Sequence, residues 1–349
     1  MAKRRVLWHL GPDDIGTQWV GAALDAARDG LEGQGIHVAG DPNSWERATS
    51  ELRRNHRDLG WRRRDVEGTW ATIARGVWKH RGTSVLSTPG IAGATPDQVA
   101  LALDGFRGVE VHLVFVVRNL ADQAYAAAQA RLEAGHHTRP AAYVERVLRE
   151  DDHRHASAFA AGHHLPRLIQ SWAHRGKGIP PSQVHVVAAD DPDGIWRALG
   201  NLAGFQVALP PVSPTQLTPP ALNALAGAVD ELGDSLEVVQ WRSVVRDWLS
   251  REVLPHSWGG YPASLGAARY LSGWESHLKE KGYDVSGHID AAGSPTTADG
   301  DLGSALADAV AEVARLRTQV DELAAENERL DKKRRKLKSR LRDMTSGAA

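Results

Sequence analysis

Leu7-Trp8-His9-Leu10-Gly11-Pro12-Asp13-Asp14-Ile15-Gly16-Thr17-Gln18-Trp19 decides the fold of this chain. An apolar run enters a glycine-bracketed loop. Behind the loop, Val20, Ala23, Leu24, Ala27 and Leu31 recur at helical spacing across Trp19–Gly33. Strand, loop and helix in that order are the plan of a phosphate-binding loop. Gly11 and Gly16 have the spacing of G-x-x-x-x-G-K-[ST], but Thr17 stands where the lysine belongs. Asp13 and Asp14 sit where an anion would be cradled. The stretch points to a fold and questions the activity that usually accompanies it.

Further strands are expected at Ile36–Ala39, Thr83–Ser87, Val109–Val117 and Val184–Ala188. Val109–Val117 is a near-continuous apolar run, the pattern of a strand buried on both faces of a parallel sheet. Helical patterns fill the gaps: Trp45–Arg64, Trp70–His80, Thr95–Phe106 begun by a Thr95-Pro96-Asp97 cap, Leu120–Glu133 and Ala141–Arg149. Beyond Val184–Ala188 the chain reads as helical, over about 194–203, 218–232, 238–253 and 263–282. This alternation predicts an α/β domain, a three-layer sandwich with a central parallel sheet. Ligands of such sheets bind at the carboxyl ends of the strands, so the loops after Leu10, Ser87 and Val117 are the places to look.

The 349 residues are 42% hydrophobic, ample for a packed core, and no apolar run reaches the length of a membrane span. The basic start Met1–Arg5 precedes only a short strand, unlike a signal peptide. There is no cysteine, which excludes disulfides, thiolate metal sites and cysteine nucleophiles. A cytoplasmic, bacterial protein is the expectation. The net charge of −1 conceals an asymmetry: Lys332–Arg342 carries eight positive charges and no negative one, leaving −9 on the rest. A basic end on an acidic body signals a partner.

Ala291–Gly300, rich in small residues and Pro, reads as a linker between a domain at 1–290 and a helix at 301–344. In that helix Leu316, Leu323, Leu330 and Leu337 recur every seven residues, continued by Met344. Val313, Val320, Asn327, Arg334 and Leu341 fill the other seam. The pattern predicts a coiled coil with itself or with another coiled-coil protein. A parallel homodimer would oppose Glu326 to Asp331 and Lys333 to Lys338 of the other helix. An antiparallel pair would bring Glu326 near Lys333, and an acidic-flanked foreign helix would also relieve the clash. The basic end Lys332–Arg342 could attract nucleic acid or an anionic membrane, or serve as a solvated face; it is not a bZIP arrangement, where the basic region precedes the zipper.

With the elements laid out, the body from about Arg5 to Ile289 resembles the sulfotransferase family, in particular actinobacterial sulfotransferase-like proteins. The segments that carry the resemblance are VLWHLGPDDIGTQ, VLSTPGIAGATPDQ, VHLVFVVRNLADQAYAAAQARLEAG, LPRLIQSWAHRGKGIPPSQVHVV and GYDVSG. It implies a P-loop nucleoside triphosphate hydrolase-like fold (the sulfotransferase fold) and the donor 3′-phosphoadenosine 5′-phosphosulfate. Gly11, Asp14, Gly16, Thr17 and Gln18 would form the donor loop, and Arg118 would hold the 3′-phosphate. Several positions depart from the family's G-T-P-K-T-G-T-T loop: Asp14 replaces the lysine, Ile15 and Gln18 replace threonines. Ala126 stands where a serine would join Arg118, and Ser87-Thr88-Pro89 lacks the polar end that supplies a base.

Exchanging lysine for aspartate turns an attraction of about 4 kcal/mol, for charges ~4 Å apart at an effective dielectric of ~20, into repulsion. Asp14 is expected instead to cap the helix behind it and occupy the anion site itself. Weak or absent sulfuryl transfer is therefore the first expectation. An active sulfotransferase on an unknown hydroxyl or amine, with its catalytic residues unidentified, is the second. A non-catalytic scaffold assembling through the coiled coil is the third.

Other polar groups are weighed beside these. Asp13 and Asp14 could hold Mg²⁺, although a capped turn is the simpler reading. His9 reads as a core histidine rather than a base, and Gln129 as a ligand contact or a helix-surface residue. The pairs His136-His137, His153/His155 and His163-His164 lack the spacing of a zinc site and read as solvent-facing. The tryptophans, mostly at helical spacing, read as core.

Overall fold

The computed structural model describes residues 3–11, 17–88, 90–148, 154–174, 178–189, 191–232, 236–258, 261, 271, 273–287 and 303–346. Its strands in chain order are β1 (Arg5–His9), β2 (Ile36–Val38), β3 (Thr83–Ser87), β4 (Glu110–Val117), β5 (Val184–Ala188), β6 (Gln216–Leu217), β7 (His256–Ser257) and β8 (Asp284–Gly287). Among the described residues, six of these form one parallel sheet in the order β2-β3-β1-β4-β5-β8. The chain leaves β1 toward one edge and returns past it to build the other. That reversal opens a crevice beyond the carboxyl end of β1, where β3 and β4 flank it. β6 and β7 form a separate antiparallel ribbon.

The sheet is buried because its strands are apolar on both faces. Trp8 and His9, adjacent on β1, point to opposite sides. Trp8 packs against Trp70, Phe106 and Trp172 at ring separations of 5.1–5.3 Å, and its indole donates to Thr88 Oγ1 at 2.6 Å. A second core lies off the sheet, where the helix Pro219–Leu232 and the segment Val238–Val253 enclose Leu217, Leu225, Val245 and Tyr261.

Local rules account for most of the helix starts. Thr95 Oγ1 accepts from the Gln98 amide, and the Gln98 side chain accepts from the Thr95 amide, as the cap signal there implies. The expected helix Trp45–Arg64 is two helices instead, Pro42–Arg53 and Arg63–Val66. Asp41 caps the first through the amides of Asn43 and Ser44, and Arg54 ends it in the left-handed region at φ 58°. The polar run beyond it has no apolar stripe to hold another turn.

The expectation that the chain is helical beyond Ala188 is also corrected. β6 and β7 are two residues each, and β8 is a polar four-residue edge strand, all too short to show a period. Of the helix expected at 263–282, Trp274–Glu280 is helical, while 263–270 lies outside the described residues. β8 is fastened to β5 by the His185–Asp284 pair at 2.9 Å. That pair ends a polar chain across the sheet. His185 lies 2.9 Å from His112, and His112 lies 3.0 Å from Glu110, which also pairs with Lys3.

The expected linker 291–300 lies outside the described residues. The helix Gly303–Ser346 packs against Pro219–Leu232. Arg315 bridges Glu231 at 2.6 Å, Glu322 accepts from Gln240 at 2.9 Å, and Arg317 stacks over Trp248. Among the described residues, no helix is long and apolar enough to cross a membrane.

Candidate functional site

β1 ends at His9, and the Leu10 amide continues its ladder by donating to Val114 O at 2.9 Å. Gly11 is buried behind it. Pro12–Gly16, including Asp13, Asp14 and Gly16, lies outside the described residues, and so does the expected cap by Asp14. The chain re-enters at Thr17, which is fully buried, and Gln18 precedes the helix Trp19–Ala26.

His9 is also buried. Its Nδ1 lies 2.8 Å from Ser87 Oγ, and burial pushes its pKa down to about 3. A neutral ring fixed between β1 and β3 fits the core histidine expected from sequence.

Arg118 follows β4 directly. Its side chain is only 3% exposed. It donates to Gln216 Oε1 at 3.2 Å and to the Trp258 carbonyl, and lies 3.9 Å from Asp122 Oδ2. The surroundings interlock. Gln216 Nε2 donates to Asp122 O at 2.9 Å, the Tyr261 amide to Asp122 Oδ1 at 3.2 Å, and the Tyr261 hydroxyl to Leu217 O at 2.6 Å. Arg118 thus fastens the β6–β7 ribbon to the end of the central strand.

Ala126, eight residues on, is fully buried. Gln129 is occupied as well: its Nε2 donates to Glu133 Oε1 at 2.9 Å and its Oε1 accepts from the Leu217 amide at 2.8 Å.

The segments after β1, β3 and β4 meet at a chamber of about 840 Å³. Gln18 and Gly90 come from two of the three loops singled out from sequence; on the third side the wall is not the loop after Val117 but the helix Leu120–Glu133, through Ala127, Ala130 and Arg131. Of the donor-loop candidates, Gln18 reaches this wall, while Arg118 is turned into the protein. The far walls come from the helix Pro42–Arg53 and from Val238–Val253.

Arg242, Arg246 and Arg251 line the chamber together, although nine residues on an α-helix is roughly two and a half turns and would set the first and last on opposite sides. The segment Arg242–Val253 is a π-helix, and its i→i+5 bonding winds roughly four to five residues per turn. Steps of four and five residues then fall on one side. An α-helical period hides this face, so periodicity carries no signal for it. Glu46 lies 2.6 Å from Arg246 and 3.7 Å from Arg242, and Asp247 pairs with all three arginines.

The histidine pairs do not converge. His137 pairs with Asp230 at 2.9 Å, while His136 and the buried His163 line the chamber. Among the described residues, no group of three potential ligands could hold a metal ion. His153 and the side chain of His155 lie outside the described residues.

No family model matches the chain, and no curated protein does. A crystal structure of a sulfotransferase from Alicyclobacillus acidocaldarius is similar at a TM-score of 0.39 and 15% identity, over 68% of this chain and 99% of that one. The likeness is distant and concerns the arrangement of elements alone. What fold and site define is an α/β protein with a parallel sheet and a chamber at its strand ends.

Proposed function

We propose that this chain is a sulfotransferase-like protein whose 3′-phosphoadenosine 5′-phosphosulfate site no longer functions as a donor site, so that sulfuryl transfer is weak or absent. The carrying observation is the placement of Arg118. A guanidinium that must grip a 3′-phosphate has to reach the ligand, yet this one is spent on Gln216, Trp258 and Asp122. Opening it would leave Asp122 buried without its cation, which is costly. The sequence supports the reading from two further positions, Asp14 in place of the lysine and Ala126 in place of the serine. Titration of 3′-phosphoadenosine 5′-phosphate into the wild type and Asp14→Lys tests it. Binding gained only by the variant supports a retired site.

A second role, assembly through the C-terminal helix, is supported by a different observation. The helix meets the body through Arg315, Thr318 and Glu322, with Thr318 buried. Val313, Leu316, Val320, Leu323 and Leu330, the heptad seam, are 41–61% exposed. A second copy running antiparallel fits this seam best. Residues 303–331 carry seven acidic and three basic side chains, and 332–342 carry eight basic ones. An antiparallel pair sets each basic end beside the partner's acidic stretch, whereas a parallel pair abuts the two basic ends.

A further inference from the structure

We propose that the chamber binds an organic anion with a flat apolar body, such as an aromatic acid. The proposal is independent of the donor-loop reading, because it stands on residues outside that loop. At about 840 Å³ the chamber is in the size range of small-molecule sites. On its wall Thr49 Oγ1, Ser50 Oγ, Asn55 Oδ1 and Arg131 Nε are buried without a hydrogen-bond partner among the described residues. Thr49 is 9% exposed and Ser50 1%. Buried polar groups are ordinarily satisfied, and a cluster of orphans around one cavity is what a missing ligand leaves. Three of the four can donate, so the complement is rich in acceptors.

The contact charge follows from one arginine. Arg242, Arg246 and Arg251 are each already engaged by a carboxylate, Glu46 or Asp247, three cations to two anions. Arg131, on the helix Leu120–Glu133, lines the chamber, its Nε is buried without a partner, and among the described residues it forms no ion pair. Its guanidinium lies over the Tyr143 ring at 5.6 Å. Neighbouring His136 is held neutral to lower pH by burial first and by the Arg131 charge second. A half-buried guanidinium with no carboxylate partner among the described residues, in the same chamber as the Thr49 and Ser50 hydroxyls, recognises an anion through charge-assisted hydrogen bonds. The walls set the rest of the ligand: Trp45, Tyr143, Phe159 and Trp241 give apolar, planar contact surface.

The test is calorimetric titration of the full chain with 2-naphthoate and with neutral 2-naphthol, which share a body and differ in charge. Naphthoate is expected to bind saturably and about tenfold or more tighter than naphthol. Arg131→Gln is expected to erase that preference while leaving naphthol binding unchanged, and Arg131→Lys to keep part of it. Ser50→Ala is expected to weaken naphthoate without lowering the melting temperature, because it removes an unsatisfied hydroxyl; a purely structural serine would behave the opposite way. Absence of saturable naphthoate binding at millimolar concentration, equal affinity for both probes, or a preference that survives in folded Arg131→Gln would each overturn the proposal. Neither probe is a nucleotide, so failure here is distinguishable from failure of the donor-site reading.

Discussion

The Arg118 guanidinium lies 3.9 Å from the Asp122 carboxylate, one helical turn further along, and both side chains are more than nine-tenths buried. With Gln216 and the Trp258 carbonyl completing its shell, Arg118 holds the antiparallel ribbon and the second core against the end of β4. A residue with this role is needed for the fold whether or not a nucleotide ever binds. Arg118→Gln should therefore destabilise the chain by about 3–5 kcal/mol, the usual consequence of orphaning one member of a buried ion pair. Urea unfolding followed by fluorescence reads this directly. An arginine waiting for a phosphate would show little change in the free protein.

The buried ring of His9 predicts an acid limb. Its folded pKa of about 3 lies below the unfolded value near 6.5, so the unfolded chain binds the extra proton between the two. This contribution is fully present above pH 6.5 and is lost as pH falls toward 3. It amounts to about 1.4 kcal/mol per unit and about 5 kcal/mol in all. His37, His112 and His136 are shifted down too, so the comparison is with a variant rather than with a flat line. His9→Gln should reduce the pH slope of stability over that window by the equivalent of one proton. An unchanged slope would show that His9 is accessible to solvent.

Most of the sheet can be read from residues alone, because Val6–Leu10, Val85–Ser87, Leu113–Val117 and Val184–Ala188 are apolar enough for burial to dictate their conformation. The strands that escape notice are short or polar and exist through tertiary pairing: β6 and β7 through the Arg118 and Gln129 contacts, β8 through His185. The site divides the same way. The loops after β1, β3 and β4 are indicated by topology, and Gln18 and Gly90 do line the chamber. Arg131, Thr49 and Ser50 give no warning, since a polar residue on an amphipathic helix is ordinarily solvated. The arginines at 242, 246 and 251 are concealed by a helical period that the sequence does not announce.

The C-terminal helix carries its own prediction. Sedimentation velocity on the full chain should find a dimer that Leu323→Glu converts to monomer. The melting temperature of the body should be unchanged, because Leu323 is 61% exposed. The chain lacks cysteine, so orientation can be read by disulfide trapping. An Asn327→Cys chain mixed with a Leu330→Cys chain should cross-link to each other if the helices are antiparallel. Cross-linking of Asn327→Cys to itself alone would mean a parallel pair.

Whether Arg118 serves the fold or a donor site is decided by calorimetric titration of 3′-phosphoadenosine 5′-phosphate into the wild-type chain. The expected result is no saturable heat into the millimolar range. Saturable binding at micromolar concentration that is abolished in folded Arg118→Lys would contradict this assignment, because the guanidinium would then have to leave Asp122 for the 3′-phosphate.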